Sequence, residues 1–131
     1  MMSFAESVQT CLSDKYFTFS GRASRPEFWW FYLVNVLAAM FAAGGAGVVG
    51  ALYKSEGGII YVLLLLLLVM ALLALVIPMI AVSVRRLHDT GRSGWWYLIN
   101  LVPYIGSIVL LIFLLLPSDP DENEYGLPCS E

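Results

Sequence analysis

Charge disappears from this chain over three long stretches, 28–53, 57–84 and 95–117. Each exceeds the roughly 20 residues that a helix needs to cross a hydrocarbon core of about 30 Å. Inside a bilayer every backbone donor must be satisfied within the protein, and one short chain has too few strands to close a barrel. The pattern therefore predicts an all-α integral membrane protein with three transmembrane helices. The second stretch would run to about 42 Å as a straight helix, so it must tilt or bend. Pro78 supplies a bend, because it removes the hydrogen bond to the Ala74 carbonyl and clashes with it. Ahead of the first stretch, Phe4, Val8, Cys11 and Leu12 recur at helical spacing among Glu6, Gln9 and Asp14. That spacing predicts a short amphipathic N-terminal helix within 4–17, lying on the cytoplasmic leaflet. The chain divides into an N-terminal segment 1–27, a membrane domain 28–117 and a tail 118–131.

Basic residues set the orientation. Lys15, Arg22 and Arg25 precede the first stretch, and Arg85, Arg86 and Arg92 lie between the second and third. Lys54 stands alone between the first two, and nothing basic follows the third. The positive-inside rule places the N-terminus and the 85–94 loop in the cytoplasm, and three spans put the tail outside. Pro103 and Gly106 offer a rival path, in which the third stretch is a re-entrant pair and the tail returns to the cytoplasm.

Composition strengthens the membrane reading. Of the 131 residues, 60% are hydrophobic and 13% charged, and the mean hydropathy is +0.79. A water-soluble domain of this size cannot hide that much apolar surface, and disorder is excluded by the same numbers. The net charge of -3 is a property of the tail, which holds Asp119, Asp121, Glu122, Glu124 and Glu131. Without them the chain is mildly basic, which is too little for a nucleic-acid surface. Cys11 and Cys129 offer neither a metal-ligand spacing nor a disulfide framework. Residues 1–27 lack the basic start and apolar run of a cleavable signal peptide.

Two segments share a design. Gly21-Arg22-Ala23-Ser24-Arg25-Pro26-Glu27 precedes Phe28-Trp29-Trp30, and Gly91-Arg92-Ser93-Gly94 precedes Trp95-Trp96-Tyr97. Each joins a polar cap and an arginine to an aromatic belt, as helices starting from one leaflet need. Ser24 to Glu27 matches a capping box, with Pro26 tolerated in the first turn, and Ser93 is the corresponding cap. Arg85 and Arg86 suit the negative end of the second helix. The run from Phe19 to Trp30 resembles the opening signature of the bacterial inner-membrane family catalogued as domain of unknown function 805. The run Arg85-Arg86-Leu87-His88-Asp89-Thr90-Gly91-Arg92-Ser93-Gly94-Trp95-Trp96 resembles its central motif. Pro117, Pro120, Glu122, Asn123, Tyr125 and Gly126 resemble its closing one, with departures at Ser118 and Asp121, where the family commonly has Gly. The resemblance covers about residues 16–126. It implies a small multi-span protein of the bacterial inner membrane, and brings no catalytic residue or substrate with it.

Candidate chemistry is sparse. His88-Asp89 is the one adjacent acid–base pair, but a single His rules out a histidine-rich metal hydrolase and a zinc site alike. Ser93, His88 and Asp89 fall within six residues, with no nucleophile elbow to build a triad. The expectation is no enzyme, no metal and no cofactor, with Asp89 paired to a nearby arginine in a polar turn. Arg22, Arg25, Arg85, Arg86 and Arg92 lie where helix ends favour phosphate oxygens, and form a candidate anion or lipid-headgroup site. Asn35 and Asn100, at similar depths, are expected to hydrogen-bond across the bundle or to Ser83. Ala39, Ala43, Gly47 and Ala51 form a small-residue stripe for close helix packing, and Ala42, Ala46 and Gly50 a parallel one. The functional expectation is a non-enzymatic protein whose basic cytoplasmic face meets anionic membrane lipid or a membrane protein partner, with a homo-oligomer open. An oligomeric channel or carrier is the alternative, weakened by the absence of charge in the three stretches.

Overall fold

The computed structural model describes residues 2–53 and 58–128, whose regular structure is helical, with one isolated bridge between Asn123 and Gly126. Helix α1 (Phe4–Gln9) runs into a π-helical turn (Thr10–Asp14). Helix α2 spans Arg25–Tyr53 and α3 spans Gly58–Asp89. A 3₁₀ helix (Gly94–Leu101) and helix α4 (Ile105–Leu115) follow.

α2 and α3 form an antiparallel pair. Glu27 lies opposite Arg85, Gly45 opposite Leu68 and Gly50 opposite Tyr61. Their outward faces are bare hydrocarbon: Met40 is 67% and Phe41 78% exposed, and Leu67, Met70 and Leu73 are exposed on α3. So extensive an apolar surface calls for lipid or other helices around it. The contact between α2 and α3 uses one of the two small-residue stripes. Ala39, Ala43, Gly47 and Ala51 are exposed, whereas Ala42 is buried and Gly45, Ala46 and Gly50 are half-buried. A Cβ at Gly45 or Gly50 would touch α3 side chains at 3.9 and 3.8 Å, and one at Gly47 would meet nothing within 4 Å. The parallel stripe does the packing.

Pro78 sits inside α3 without ending it. The carbonyl that it deprives of a partner, Ala74, accepts from the Tyr16 hydroxyl. The N-terminal segment therefore does not stop at the helix end: it carries Tyr16 along α3 to the level of Ala74. Its helix packs on α2 through Ser7, whose hydroxyl donates to the Glu27 carbonyl at 2.6 Å. Phe4 meets Trp30 edge to face, with centroids 5.6 Å apart. The buried side of this segment is Ser7 and Cys11, while Phe4 and Leu12 remain exposed. The Phe4–Val8–Cys11–Leu12 face expected from spacing is thus divided, with Cys11 turned to the protein and Phe4 and Leu12 left exposed.

The third apolar stretch is not one helix, which corrects the expectation of a continuous span over 95–117. The 3₁₀ helix rises about 2.0 Å per residue and α4 about 1.5 Å, so each limb is about 16 Å long, half of a hydrocarbon core. Between them the chain reverses at Pro103 and Tyr104. Tyr104 has φ 62° and ψ -62°, and the Ile105 N–H donates to the Pro103 carbonyl at 2.7 Å, the geometry of a γ-turn. The limbs then touch at Gly106, where a Cβ would lie 1.7 Å from the Ile99 carbonyl oxygen. Ser107 donates to the Asn100 side chain at 2.8 Å across the same gap. Both outer ends of this hairpin return to the end of α3: a Cβ at Gly94 would press on Val84, and Arg86 donates to Leu114 and Leu116. The tail consequently lies at the arginine end of the molecule. The Asp119 N–H donates to the Asp89 carbonyl at 2.7 Å, whereas three full spans would have carried the tail to the opposite end.

Candidate functional site

The residues that carry chemistry gather at this one end, around the last turn of α3. Gly91 closes that helix. It takes φ +79°, with its N–H on the His88 carbonyl and the Arg92 N–H on the Leu87 carbonyl, the paired bonds of a Schellman cap. A left-handed position there suits glycine, and the cap fixes where Arg85, Arg86, His88 and Asp89 stand.

Asp89 is the centre. One carboxylate oxygen accepts from Arg22 Nε at 2.8 Å, and the other from Arg86 and from the Ser118 hydroxyl. Its side chain is fully buried. The Arg22 guanidinium, also buried, has its remaining donors on backbone carbonyls: Asp89 at 3.1 Å, Asp119 at 2.6 Å, Asp121 at 3.0 Å and Gly126 at 3.2 Å. Arg22 thus clamps the tail. Arg86 reaches the last carbonyls of α4, where the helix dipole favours a cation, and the Ala23 carbonyl at 3.3 Å. Arg85 pairs with Glu27 and donates from Nε to the Thr18 carbonyl at 3.1 Å, while its buried Nη2 has no hydrogen-bond partner. Three buried cations thus share two carboxylates, and the surplus positive charge falls on carbonyl oxygens from the N-terminal segment, α4 and the tail.

The cap of α2 joins the same network. Ser24 accepts from the Glu27 N–H at 3.3 Å, and the Glu27 carboxylate goes to Arg85. Cys11 lies beside that pair. Burial pushes its thiol up to about 11, with the Glu27 charge adding to the shift and Arg85 opposing it, so the thiol is protonated and unreactive at neutral pH.

His88 is pinned from three directions. Its Nδ1 lies 3.0 Å from the Gly21 carbonyl, the Tyr125 ring stacks on it at 3.9 Å, and Asn123 donates to its backbone carbonyl at 3.0 Å. The tail turn that presents Asn123 and Tyr125 is closed by reciprocal 3.1 Å bonds between Asn123 and Gly126.

Of the five arginines expected to form one anion site, Arg22, Arg85 and Arg86 are buried and spent on internal acceptors. Arg25 is half-buried at the start of α2. Arg92 lies over the Phe113 ring, 4.4 Å from its centroid, and donates to the Thr90 carbonyl at 3.3 Å. A single open site lined by all five is not what these side chains build. Nor do Asn35 and Asn100 meet. Asn35 donates to Phe31 in its own helix at 3.0 Å, Asn100 accepts from Ser107, and Ser83 donates to Met79 at 2.7 Å. A polar side chain in a helix finds a carbonyl one turn back more cheaply than one on a neighbour. The sequence reading missed Glu27 as an ion-pair partner and Tyr16 altogether, and placed Ser118, Asn123 and Tyr125 in a closing motif without a contact for any of them. A signal existed for Glu27, the carboxylate that directly precedes the first apolar stretch.

The family model described as protein of unknown function, DUF805, matches residues 16–127. The inner membrane protein YhaI of Escherichia coli (strain K12) is 40% identical over 111 residues, covering 85% of this chain and 85% of its own length. The inner membrane protein YhaH of the same strain is 35% identical over 122 residues, covering 85% and 86%. The uncharacterized protein YiiR of that strain is 32% identical over 94 residues, covering 68% of this chain and 53% of its own. No solved structure matches. The matched stretch takes in the polar cluster from Thr18 to Gly126, and the chain belongs to the DUF805 family.

Proposed function

We propose that this is a non-enzymatic protein of the bacterial inner membrane, with two spans and one re-entrant hairpin, and with N-terminus, 85–94 loop and tail all in the cytoplasm. The observation that carries this reading is the fate of the charged groups. Asp89 and Arg22 are saturated by internal partners, which is what a structural lock needs and takes the cluster's central carboxylate out of proton transfer. The basic residues that remain nearer the surface, Arg25 and Arg92, stand beside Trp29, Trp30, Trp95 and Trp96. That combination of cation and aromatic belt suits the headgroup layer of an anionic leaflet.

The test is retention of phosphatidylglycerol by the purified protein in native mass spectrometry. Each of Arg25→Gln and Arg92→Gln should lower retention about fivefold, the worth of about 1 kcal/mol per basic residue near an anionic surface. Lys15→Gln, adjacent to neither tryptophan pair in the sequence, serves as the comparison. Unchanged retention in the double variant would overturn the lipid-facing role.

A further inference from the structure

A cleft of about 470 Å³ opens between the last turns of α3 and the 3₁₀ helix, with Phe19 at its side. Its walls are mostly apolar and aromatic, from Phe19, Ile80, Val84, Trp95, Tyr97 and Leu98, with Ser93 and Gly94 beside His88. The volume is within the range of small-molecule sites. Trp95, 78% exposed, stands at the level where the charge-free part of α3 ends, so the cleft adjoins the edge of the apolar layer.

One polar atom in that wall has a defined character. His88 lines the cleft, and its Nδ1 faces the Gly21 carbonyl, which can only accept. Nδ1 therefore carries the proton, and in the neutral ring Nε2 is an acceptor. Nε2 lies on the Gly94 side, 3.5 Å from where a Cβ at that position would stand. A side chain at that position would stand against this edge of the ring, and glycine brings none. Tyr125 covers a face of the ring, not this edge, and the whole histidine is only 8% exposed.

We propose that this cleft binds a hydroxylated aromatic ring dissolved in the membrane, the chemistry of a quinol or a free phenol, with its O–H donating to His88 Nε2. A neutral acceptor at the end of an apolar slot repels carboxylates and phosphates, which also only accept. Flat walls from Trp95, Tyr97 and Phe19 suit a ring. The same acceptor gives a sign to the selectivity. A quinol has the donor, whereas the corresponding quinone and the quinol dimethyl ether have acceptors alone.

The full chain in lipid nanodiscs would be titrated anaerobically with a short-chain ubiquinol, its quinone and its dimethyl ether, reading quenching of tryptophan fluorescence. The quinol should bind at least about tenfold more tightly than either analogue, the factor of one buried hydrogen bond. A simple phenol without a tail should compete if the ring alone is recognised, and its failure assigns the site to tailed quinols. Leu98→Trp should fill the cleft and abolish binding while leaving every His88 contact in place. His88→Phe should keep the ring stack and abolish the preference for quinol over ether. Equal affinity for quinol and ether in the unmodified chain, or undiminished quinol binding in a folded Leu98→Trp variant, would overturn the proposal.

Discussion

The second and third apolar stretches differ more than their composition allows one to foresee. Both are free of charge, long enough to cross a bilayer and interrupted by a proline. At Pro78 the helix continues, because Tyr16 satisfies the Ala74 carbonyl and the break is repaired from outside. At Pro103 the helix stops, with the Ile99 carbonyl taken by the local Val102 N–H at 3.0 Å. The chain reverses through Tyr104, and Gly106 lets the two limbs close on each other. What differs between the two prolines is thus the partner of the carbonyl behind each, a distant hydroxyl at Ala74 and the local Val102 N–H at Ile99. The returning limb has a further anchor, since Arg86 takes the carbonyls at the end of α4.

The largest effect should come from the anchor. Asp89→Asn leaves Arg22 and Arg86 buried without their carboxylate, a loss of about 3–5 kcal/mol. The tail and the end of α4 should both come loose, seen as new protease sensitivity after Leu116 together with a lowered melting temperature. An intact tail in this variant would mean that the carbonyl contacts of Arg22 suffice alone.

Two glycines sharpen the comparison next. Gly106→Ala forces a Cβ into the Ile99 carbonyl and should cost about 1–3 kcal/mol by overpacking. Gly47→Ala, on the open face of α2, should stay within about 0.5 kcal/mol. Thermal melting in detergent separates them, and equal shifts would remove the reason for a closed hairpin.

How much of this was legible follows from what each signal measures. Hydropathy located α2, α3 and the apolar third stretch, because transfer from water depends on composition. It is silent on path, and Pro103 with Gly106 marked a possible reversal without choosing it. The Ser24 cap and the carbonyl vacated at Pro78 were local consequences of residue type. The donor that fills that vacancy, Tyr16, is 58 residues away in sequence, and no local rule reaches it. The two small-residue stripes of α2 lie about 60° apart around the helix. They are chemically alike, so only the position of α3 decides between them. Arginines near a leaflet read as lipid-facing by default. Three of them turned inward because Glu27, Asp89 and exposed helix carbonyls were within reach.

A smaller effect probes the repaired proline. Tyr16→Phe removes the hydroxyl and should cost about 0.5–1.5 kcal/mol, with faster hydrogen exchange in α3 around Ala74 and Met79. Unchanged exchange there would show that the helix bridges Pro78 unaided, and the contrast with Pro103 would need another cause.

The central claim is that the third stretch folds back and leaves both ends of the chain on one side of the membrane. The direct measurement is a pair of C-terminal fusions, a fluorescent protein and alkaline phosphatase, expressed in a Gram-negative host beside the matching fusions in the loop between α2 and α3. A folded-back third stretch requires a fluorescent, phosphatase-silent C-terminus and the reverse at the loop. An active phosphatase at the C-terminus would mean that residues 95–117 cross the membrane as a third span, and would contradict the re-entrant hairpin.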